Sequence, residues 1–510
     1  MADKLYKKYE LQGMLVKATV NIIGKSNEYV LIYNIDSPQF GAGTKALIDS
    51  LKRLLVSDTS LKTEKMLDPK FLNEIKEKFI QKSKEFIDRQ STGVTEDEKN
   101  YIIEMLVNEM LGVGQIELLL LDGNLEEIVI NSSREPVWVY HKEFGWLRTN
   151  IGFENEAQIQ NYANIIARRV GKQITVLHPL LDAHLVTGDR ANATIFPISG
   201  RGNTITIRRF RRDPWTVTDL IKNNTTSSEV MALIWLCMNY ELNIIISGGT
   251  ASGKTSFLNV CLPFIPPNHR IVSIEDTLEI AIQSFLHWVP LTTREPNPEG
   301  KGGVAMIDLL VNSLRMRPDR IIVGEIRRQK EAEVLFEAMH TGHSVYTTLH
   351  ANTADETIKR LANPPIEIPT TMLEGVHLNV VMFRNRRLGV RRLFEIAEFI
   401  PEKRGGQEKE TLTANVLYKW KPSSDRIEKN AESIRLFDEL SLHTGLSLNE
   451  LQEDLLEKRM ILEWMVANNI RDIQTVGKIM ATYYMDKEPI ISAMQKNLIP
   501  DLLKDVEGKA

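Results

Sequence analysis

The chain has little cysteine and no long apolar segment. Its 510 residues include 2 Cys, too few for a disulfide framework or a four-thiolate zinc site, so we expect a reducing compartment. No apolar run reaches the roughly 18 residues that a membrane-spanning helix needs. The first residues, MADKLYKKYE, lack the apolar core of a signal peptide. We therefore predict a cytoplasmic protein, held at a membrane only through a partner.

The chain also lacks a strong excess of charge of either sign. Its formal net charge is −4, which gives no global indication of nucleic-acid binding. Residues 1–90 hold 16 Lys and Arg against 12 Asp and Glu, so contact between this mildly basic region and anionic lipid is one hypothesis. An ordinary solvated surface is the alternative, and charge alone favours it.

Length and periodicity predict several domains. Three patterns follow one another along the chain. The first is hydrophobic spacing typical of helices, the second is short runs with the period of strands, and the third is helix patterns that alternate with strand patterns. The predicted divisions are a helical amino-terminal extension over 1–110, an α+β domain over 111–212, a polar linker over 213–228, a parallel α/β core over 229–400 and a mostly helical region over 401–510.

A glycine-rich motif predicts a phosphate-binding loop. NIIISGGTASGKTSFLNV contains G-x-x-x-x-G-K-T between a predicted buried strand and a predicted helix. Glycines let backbone N–H groups face phosphate oxygens, and the helix amino terminus adds partial positive charge. Lys254 is predicted to reach the β- and γ-phosphates, and Thr255 to offer its hydroxyl to Mg²⁺. The predicted nucleotide-binding residues are Gly248, Gly249, Thr250, Ala251, Ser252, Gly253, Lys254, Thr255 and Ser256.

Two strand ends predict catalytic carboxylates. RIIVGEIR places Glu325 after a predicted strand, where it can serve as the base for an attacking water. Gly324 stands where an aspartate that positions Mg²⁺ is usual, so another acid is needed near the metal. Glu275 and Asp276 end the strand in IVSIEDTLEI, and ligands bind at the carboxyl ends of strands in open α/β sheets. We favour a catalytic role for Glu275, with helix capping as the alternative.

Two of the ten histidines flank another predicted strand. TGHSVYTTLHAN places His343 before this strand and His350 after it. Seven residues of strand span roughly 23 Å, so the two cannot share a phosphate or a metal ion. His350 is predicted to contact the γ-phosphate, whereas His343 is expected to be structural or to face a neighbouring subunit.

Three arginines upstream complete the candidate site. DRANATIFPIS and NTITIRRF form a predicted hairpin that carries Arg190, Arg208 and Arg209. Exposed arginines are commonly solvated charges, but arginines that close over phosphate neutralise charge in the transition state. We predict that domain closure assembles this part of the site.

In combination these stretches resemble the type II/IV secretion ATPase superfamily. The resemblance lies in GGTASGKTS, in the acidic box of Glu275, Asp276 and Glu279, in VGEIR and in the histidine pair, and it spans roughly residues 112–394. Within the superfamily, the chain looks most similar to the archaellum motor ATPase. General secretion ATPases and many pilus-extension ATPases carry a four-cysteine zinc subdomain that two cysteines cannot supply, and pilus-retraction ATPases are shorter and lack the amino-terminal extension. Ala251 departs from the glycine that much of the family has there.

The resemblance implies an α/β, RecA-like P-loop core in a homo-hexameric ATPase that uses ATP and Mg²⁺. It implies that the ring docks on a polytopic membrane platform protein at the inner face of the cell membrane and powers assembly or rotation of a type IV pilin-like filament. A pilus-assembly or secretion ATPase for another substrate is the first alternative. A DNA translocase is disfavoured because no basic stripe with interleaved aromatics is present. A nucleotide-gated scaffold is disfavoured by the intact Lys254 and Glu325.

Overall fold

The computed structural model divides the chain into two compact units, Met1–Arg212 and Asp213–Ala510, called here the amino-terminal and carboxy-terminal units. The residues that it describes are 4–26, 28–36, 48, 50–53, 69–90, 95–185, 188–209, 214–296, 300–402 and 411–498.

The amino-terminal unit is built on one mixed sheet. Its described strands are β1 (Lys4–Gln12), β2 (Lys17–Gly24), β3 (Ile32–Asp36), β4 (Leu125–Ile130), β5 (Trp138–His141), β6 (Gly145–Thr149), β7 (Leu180–His184), β8 (Arg190–Thr194) and β9 (Thr204–Arg208). They lie in the order β1-β2-β3-β6-β5-β4-β9-β8-β7. Neighbours are antiparallel except β3 and β6, which are parallel. The predicted hairpin is therefore confirmed as β8 and β9.

Helices accompany this sheet, but they do not fill the predicted amino-terminal extension. The described helices are α1 (Pro69–Gln90), α2 (Glu96–Leu111), α3 (Ile116–Leu121) and α4 (Glu156–Arg169). The prediction of a helical extension over 1–110 agrees with α1 and α2 and is wrong for residues 4–36. In β2, Ala18, Val20 and Ile22 are buried at alternate positions, which is the period of a strand with one face in the core.

The carboxy-terminal unit contains the predicted parallel sheet. Its described strands are β10 (Ile244–Gly248), β11 (Ile271–Glu275), β12 (Trp288–Thr292), β13 (Arg320–Val323), β14 (Ser344–Leu349), β15 (Leu378–Asn385), β16 (Val390–Glu402), β17 (Thr411–Lys421) and β18 (Arg426–Lys429). The order is β12-β11-β13-β14-β10-β15-β16-β17-β18. The first six strands in this order, which end with β15, are parallel to one another. The last three, β16, β17 and β18, add an antiparallel edge.

Helices cover both faces of the parallel strands. They are α5 (Val217–Lys222), α6 (Ser228–Asn239), α7 (Lys254–Cys261), α8 (Met306–Ser313), α9 (Gln329–His340), α10 (Ala354–Ala362), α11 (Thr370–Leu373), α12 (Leu436–Thr444), α13 (Leu448–Ala467), α14 (Ile473–Met485) and α15 (Glu488–Gln495). Ile244 and Ile246 of β10 enter one core with residues of α6 and α7, whereas Ile245 enters a second core with residues of α8 and α9. Burial on both faces explains the continuous apolar runs of these strands.

Two predicted divisions of this unit differ from the structure. Within 401–510, predicted to be mostly helical, the end of β16 together with β17 and β18 extends the sheet, and the described helices begin only at α12. Within the predicted linker, α5 is capped by Thr216 and Asp219 and its Val217 belongs to the core. Among the described residues, no helix has both the length and the apolar character needed to cross a bilayer.

Candidate nucleotide-binding site

The predicted phosphate loop is a tight turn between β10 and α7. A Cβ added at Gly248 would lie 2.5 Å from the carbonyl oxygen of Met382, so only glycine fits there. Gly253 has φ 94° and Ala251 has φ 58°, both in the left-handed region that favours glycine. Residues 248–253 thus return the chain to the amino terminus of α7, where backbone N–H groups are available to an anion.

The side chains of the loop suit a phosphate. Ser252 is 1% exposed, and its Oγ has no hydrogen-bond partner among the described residues. Lys254 Nζ donates to the carbonyl oxygens of Gly248 at 3.0 Å and Gly249 at 3.3 Å. The predicted residues Thr255 and Ser256 follow in the first turn of α7. A buried ammonium and a buried hydroxyl beside a helix amino terminus form a donor set for phosphate oxygens.

Strand order brings Glu325 and His350 to this loop. β13 and β14 are parallel neighbours, and β14 also pairs with β10. Glu325 follows β13 and His350 follows β14, at the carboxyl ends of the strands. His350 Nε2 lies 3.0 Å from Glu325 Oε1, and His350 Nδ1 lies 3.5 Å from Lys254 Nζ. The histidine thus joins the loop lysine to the candidate base.

Electrostatics define the protonation of this group. Burial lowers the pKa of Lys254, and the carboxylates of Glu325 and Glu279 oppose that effect. Burial and then the Lys254 charge lower the pKa of His350, while Glu325 raises it. The contacts assign a neutral imidazole whose Nε2–H donates to Glu325 and whose Nδ1 accepts from Lys254.

The acids after β11 occupy a separate part of the same edge. Glu275 is 2% exposed, and its Oε1 accepts the backbone N–H groups of Glu279 at 3.0 Å and Ile280 at 3.2 Å. These bonds close the turn after β11. A Cβ added at Gly324 would lie 3.4 Å from Glu275 Cγ, so the missing aspartate position adjoins this side chain. The catalytic role of Glu275 stays a prediction.

Sequence reasoning missed two arginines of this edge. Arg327 contacts Glu325 and Asp276 at once, and its place two residues after Glu325 was a signal that could have been used. Arg391, on β16, donates from Nε to the carbonyl oxygen of Ala251 at 3.1 Å. The contact between Arg391 and Ala251 joins positions 140 residues apart, so no local sequence pattern could predict it.

The three predicted arginine fingers lie in the amino-terminal unit. Arg190 opens β8 and pairs in register with Arg208, which ends β9. Arg209 follows, and its guanidinium donates to the carbonyl oxygen of Asp122. The hairpin thus places the three at one end of two neighbouring strands. Their contact with phosphate stays a prediction.

Several known proteins are similar to this chain in sequence. The sequence profile of the type II/IV secretion system protein family matches residues 182–388. An uncharacterised protein of Methanocaldococcus jannaschii is 36% identical over 418 residues, which are 80% of this chain and 74% of that protein. A putative conjugal transfer protein of Mycobacterium tuberculosis (strain ATCC 25618 / H37Rv) is 32% identical over 268 residues, which are 51% of this chain and 74% of that protein. The X-ray structure of the Legionella pneumophila ATPase DotB aligns with a TM-score of 0.41 and 18% identity, covering 78% of this chain and 95% of that one.

Proposed function

The chain belongs to the type II/IV secretion ATPase family, and we propose that it is a hexameric, Mg-ATP-hydrolysing motor for a type IV pilin-like filament, of the kind that the archaellum motor ATPase serves. One observation carries the ATPase part of the proposal. Lys254, His350 and Glu325 come from three neighbouring strand ends and form one hydrogen-bonded group beside the phosphate loop.

The chain's own residues supply the steps of hydrolysis. The loop N–H groups, Ser252 and Lys254 bind and orient the phosphates. Thr255 and water are the proposed ligands of Mg²⁺, which neutralises phosphate charge when it is bound. Glu325 accepts the proton of the attacking water, and His350 holds one oxygen of that carboxylate while facing the γ-phosphate position. Arg190, Arg208 and Arg209 are proposed to add positive charge on closure.

The assay that tests this proposal is turnover of a Glu325→Gln chain. The amide keeps the size of the side chain but cannot take up a proton, so we expect phosphate release to fall by about 10²- to 10⁴-fold while ATP binding persists. Glu333→Gln, an exposed carboxylate on α9, is the matched control and is expected to leave turnover unchanged. Appreciable steady-state hydrolysis by the Glu325 variant would reject the role given to this residue.

A second candidate function rests on the names of the relatives. The Mycobacterium tuberculosis relative is named for conjugal transfer, and a relative in Bordetella pertussis is a type IV secretion system protein. A secretion or conjugation ATPase would use the same hydrolytic site for another substrate. Hydrolysis stimulated by single-stranded or duplex DNA would favour that reading over a filament motor.

The filament assignment is tested in the cell. A strain whose only copy carries Glu325→Gln is expected to lack a pilin-like filament by electron microscopy and to retain the protein at normal abundance. Normal filaments in that strain would exclude the motor role while leaving the ATPase assignment to the turnover assay. Association with a membrane, through a polytopic platform protein and through anionic lipid at the amino-terminal region, belongs to the same proposal.

A further inference from the structure

All three guanidinium nitrogens of Arg327 contact acids at the carboxyl end of the parallel sheet, beside the phosphate loop. Its Nε and Nη2 lie 2.8 and 2.7 Å from Glu325 Oε2, and its Nη1 lies 2.8 Å from Asp276 Oδ2. The planar fork of arginine suits this bridging, which a lysine ammonium can make only in part. One cation therefore ties together the ends of two strands.

The two acids would otherwise repel each other. Glu325 follows β13 and Asp276 follows β11, and these strands are parallel neighbours with Ile274 opposite Val323. Two carboxylates at adjacent strand ends are unfavourable without a compensating charge. Asp276 also accepts a hydrogen bond from Thr293 Oγ1 at 3.1 Å, which holds it where Arg327 can reach it.

The contact also decides which oxygen of Glu325 faces the phosphate loop. Arg327 binds Oε2, whereas Oε1 faces His350, which adjoins Lys254. The Glu325 side chain is 16% exposed and that of Arg327 is 59% exposed. The guanidinium thus lies on the solvent side of the carboxylate and leaves the inner oxygen directed at the site.

We propose that Arg327 is a positioning residue for ATP hydrolysis: its guanidinium bridges Glu325 and Asp276 and so holds Oε1 of Glu325 towards the attacking water. The proposal rests on the proposed role of Glu325 as the base. Arg327 acts through that carboxylate, and nucleotide binding is left to the phosphate loop. Its loss should therefore lower kcat much more than it changes the KM for ATP.

The experiment measures kcat and KM of the full chain with Arg327→Ala, Arg327→Lys and the control Arg328→Ala. Arg328 is the next residue and is also exposed. We expect Arg327→Ala to lose about 10- to 100-fold in kcat, the cost of a misplaced catalytic group, with KM changed by less than about threefold. Arg327→Lys should keep part of the activity, and Arg328→Ala nearly all of it.

Chemical rescue separates positioning from folding. Because the Arg327 side chain is largely exposed, millimolar ethylguanidinium can enter the space left in Arg327→Ala and restore part of kcat. The same salt should not restore Glu325→Gln, and sodium chloride at equal ionic strength should restore neither. Adding Asp276→Asn to Arg327→Ala should also raise kcat, since it removes the repulsion between the two acids.

Two results overturn the proposal. One is wild-type turnover by Arg327→Ala. The other is a loss of turnover that ethylguanidinium, Arg327→Lys and Asp276→Asn all fail to reduce, which would make the role of Arg327 structural. Failure of the proposed function looks different, because it would appear as hydrolysis by Glu325→Gln.

Discussion

The two ends of the parallel sheet in the carboxy-terminal unit use the same residue types for different purposes. At the carboxyl end of β14, His350 is exposed and joins Lys254 to Glu325. At the amino end, His343 contacts its neighbour Thr341 through Nδ1 at 3.3 Å, and its backbone N–H caps α9 at Ala338. The first histidine faces the candidate site, and the second closes a helix.

At the amino end, one asparagine links the starts of several strands through hydrogen bonds. Asn243, just before β10, donates its backbone N–H to His377 Nδ1 at 2.9 Å and accepts the N–H of Val345 at 2.8 Å. Its side chain also donates to the carbonyl oxygen of Gly375 at 2.9 Å. One asparagine thus ties together the starts of β10, β14 and β15.

A three-residue cluster at this end has the composition of a metal site. Ligand atoms of His377, Glu439 and His443 lie within 4.8 Å of one another. The Asn243 N–H on His377 Nδ1, however, leaves the ring proton of the neutral imidazole on Nε2. His377 Nε2 then carries a proton and is not free to ligate a metal ion, so this contact favours a structural role for His377. A histidine at a strand end therefore takes its role from the polar groups that contact it.

The largest expected difference between the two ends is in turnover. His350→Ala removes the contacts that join Glu325 to Lys254, so we expect kcat to fall by about 10- to 100-fold. His343→Ala should change kcat by less than about twofold, because His343 lies just before β14, at the opposite end of the strand from His350. Phosphate release at saturating ATP measures both. Equal losses of kcat in the two variants would contradict the different roles assigned to His350 and His343.

The second prediction concerns acid stability at the amino end. Burial lowers the pKa of His377 to about 4; the nearby cationic Arg435 and the other histidines add to the shift, and Glu439 opposes it. The unfolded chain, with a histidine pKa near 6.5, binds more protons between these values, so the stabilising contribution is present above about pH 6.5 and is lost as the pH falls towards 4.

Urea unfolding at pH 7 and pH 5 tests the direction of this pH dependence. The wild-type chain should lose about 2 kcal/mol of unfolding free energy through His377 between these values. His377→Asn keeps an acceptor for the Asn243 N–H but does not titrate, so its loss on acidification should be smaller by that amount. An unchanged difference between pH 7 and pH 5 would show that His377 is not the group responsible.

The smallest expected effect concerns the backbone of the phosphate loop, at the carboxyl end of the parallel sheet. Ala251 adopts φ 58°, where an L-residue with a Cβ is strained. Ala251→Gly should raise the free energy of unfolding by roughly 0.5–1 kcal/mol and preserve hydrolysis, which thermal unfolding and phosphate release can establish together. A loss of stability would mean that the greater freedom of glycine in the unfolded chain outweighs the relief of strain.

Periodicity and motif predicted much of the carboxy-terminal unit. β10 and β13 are largely apolar runs, and β14 is rich in β-branched residues, because both faces of each strand are buried. The glycine motif lies where the loop needs left-handed backbone. The alternation of β2 is clear and could have been used, whereas β1, an edge strand, is buried at few positions, which leaves a weak alternation. β17, near the antiparallel edge of its sheet, is likewise mostly half-buried.

The phosphate loop was determined by the sequence itself, because its residues are consecutive and its turn depends on local backbone freedom. The rest of the candidate site was decided by tertiary structure. Lys254 and His350 are 96 residues apart, and Asp276 and Arg327 are 51 apart. They meet because the strand order sets β11, β13, β14 and β10 side by side, so that the carboxyl ends of distant segments share one edge. Local propensity carries no information about that order, which long-range burial of the two faces of the sheet selects.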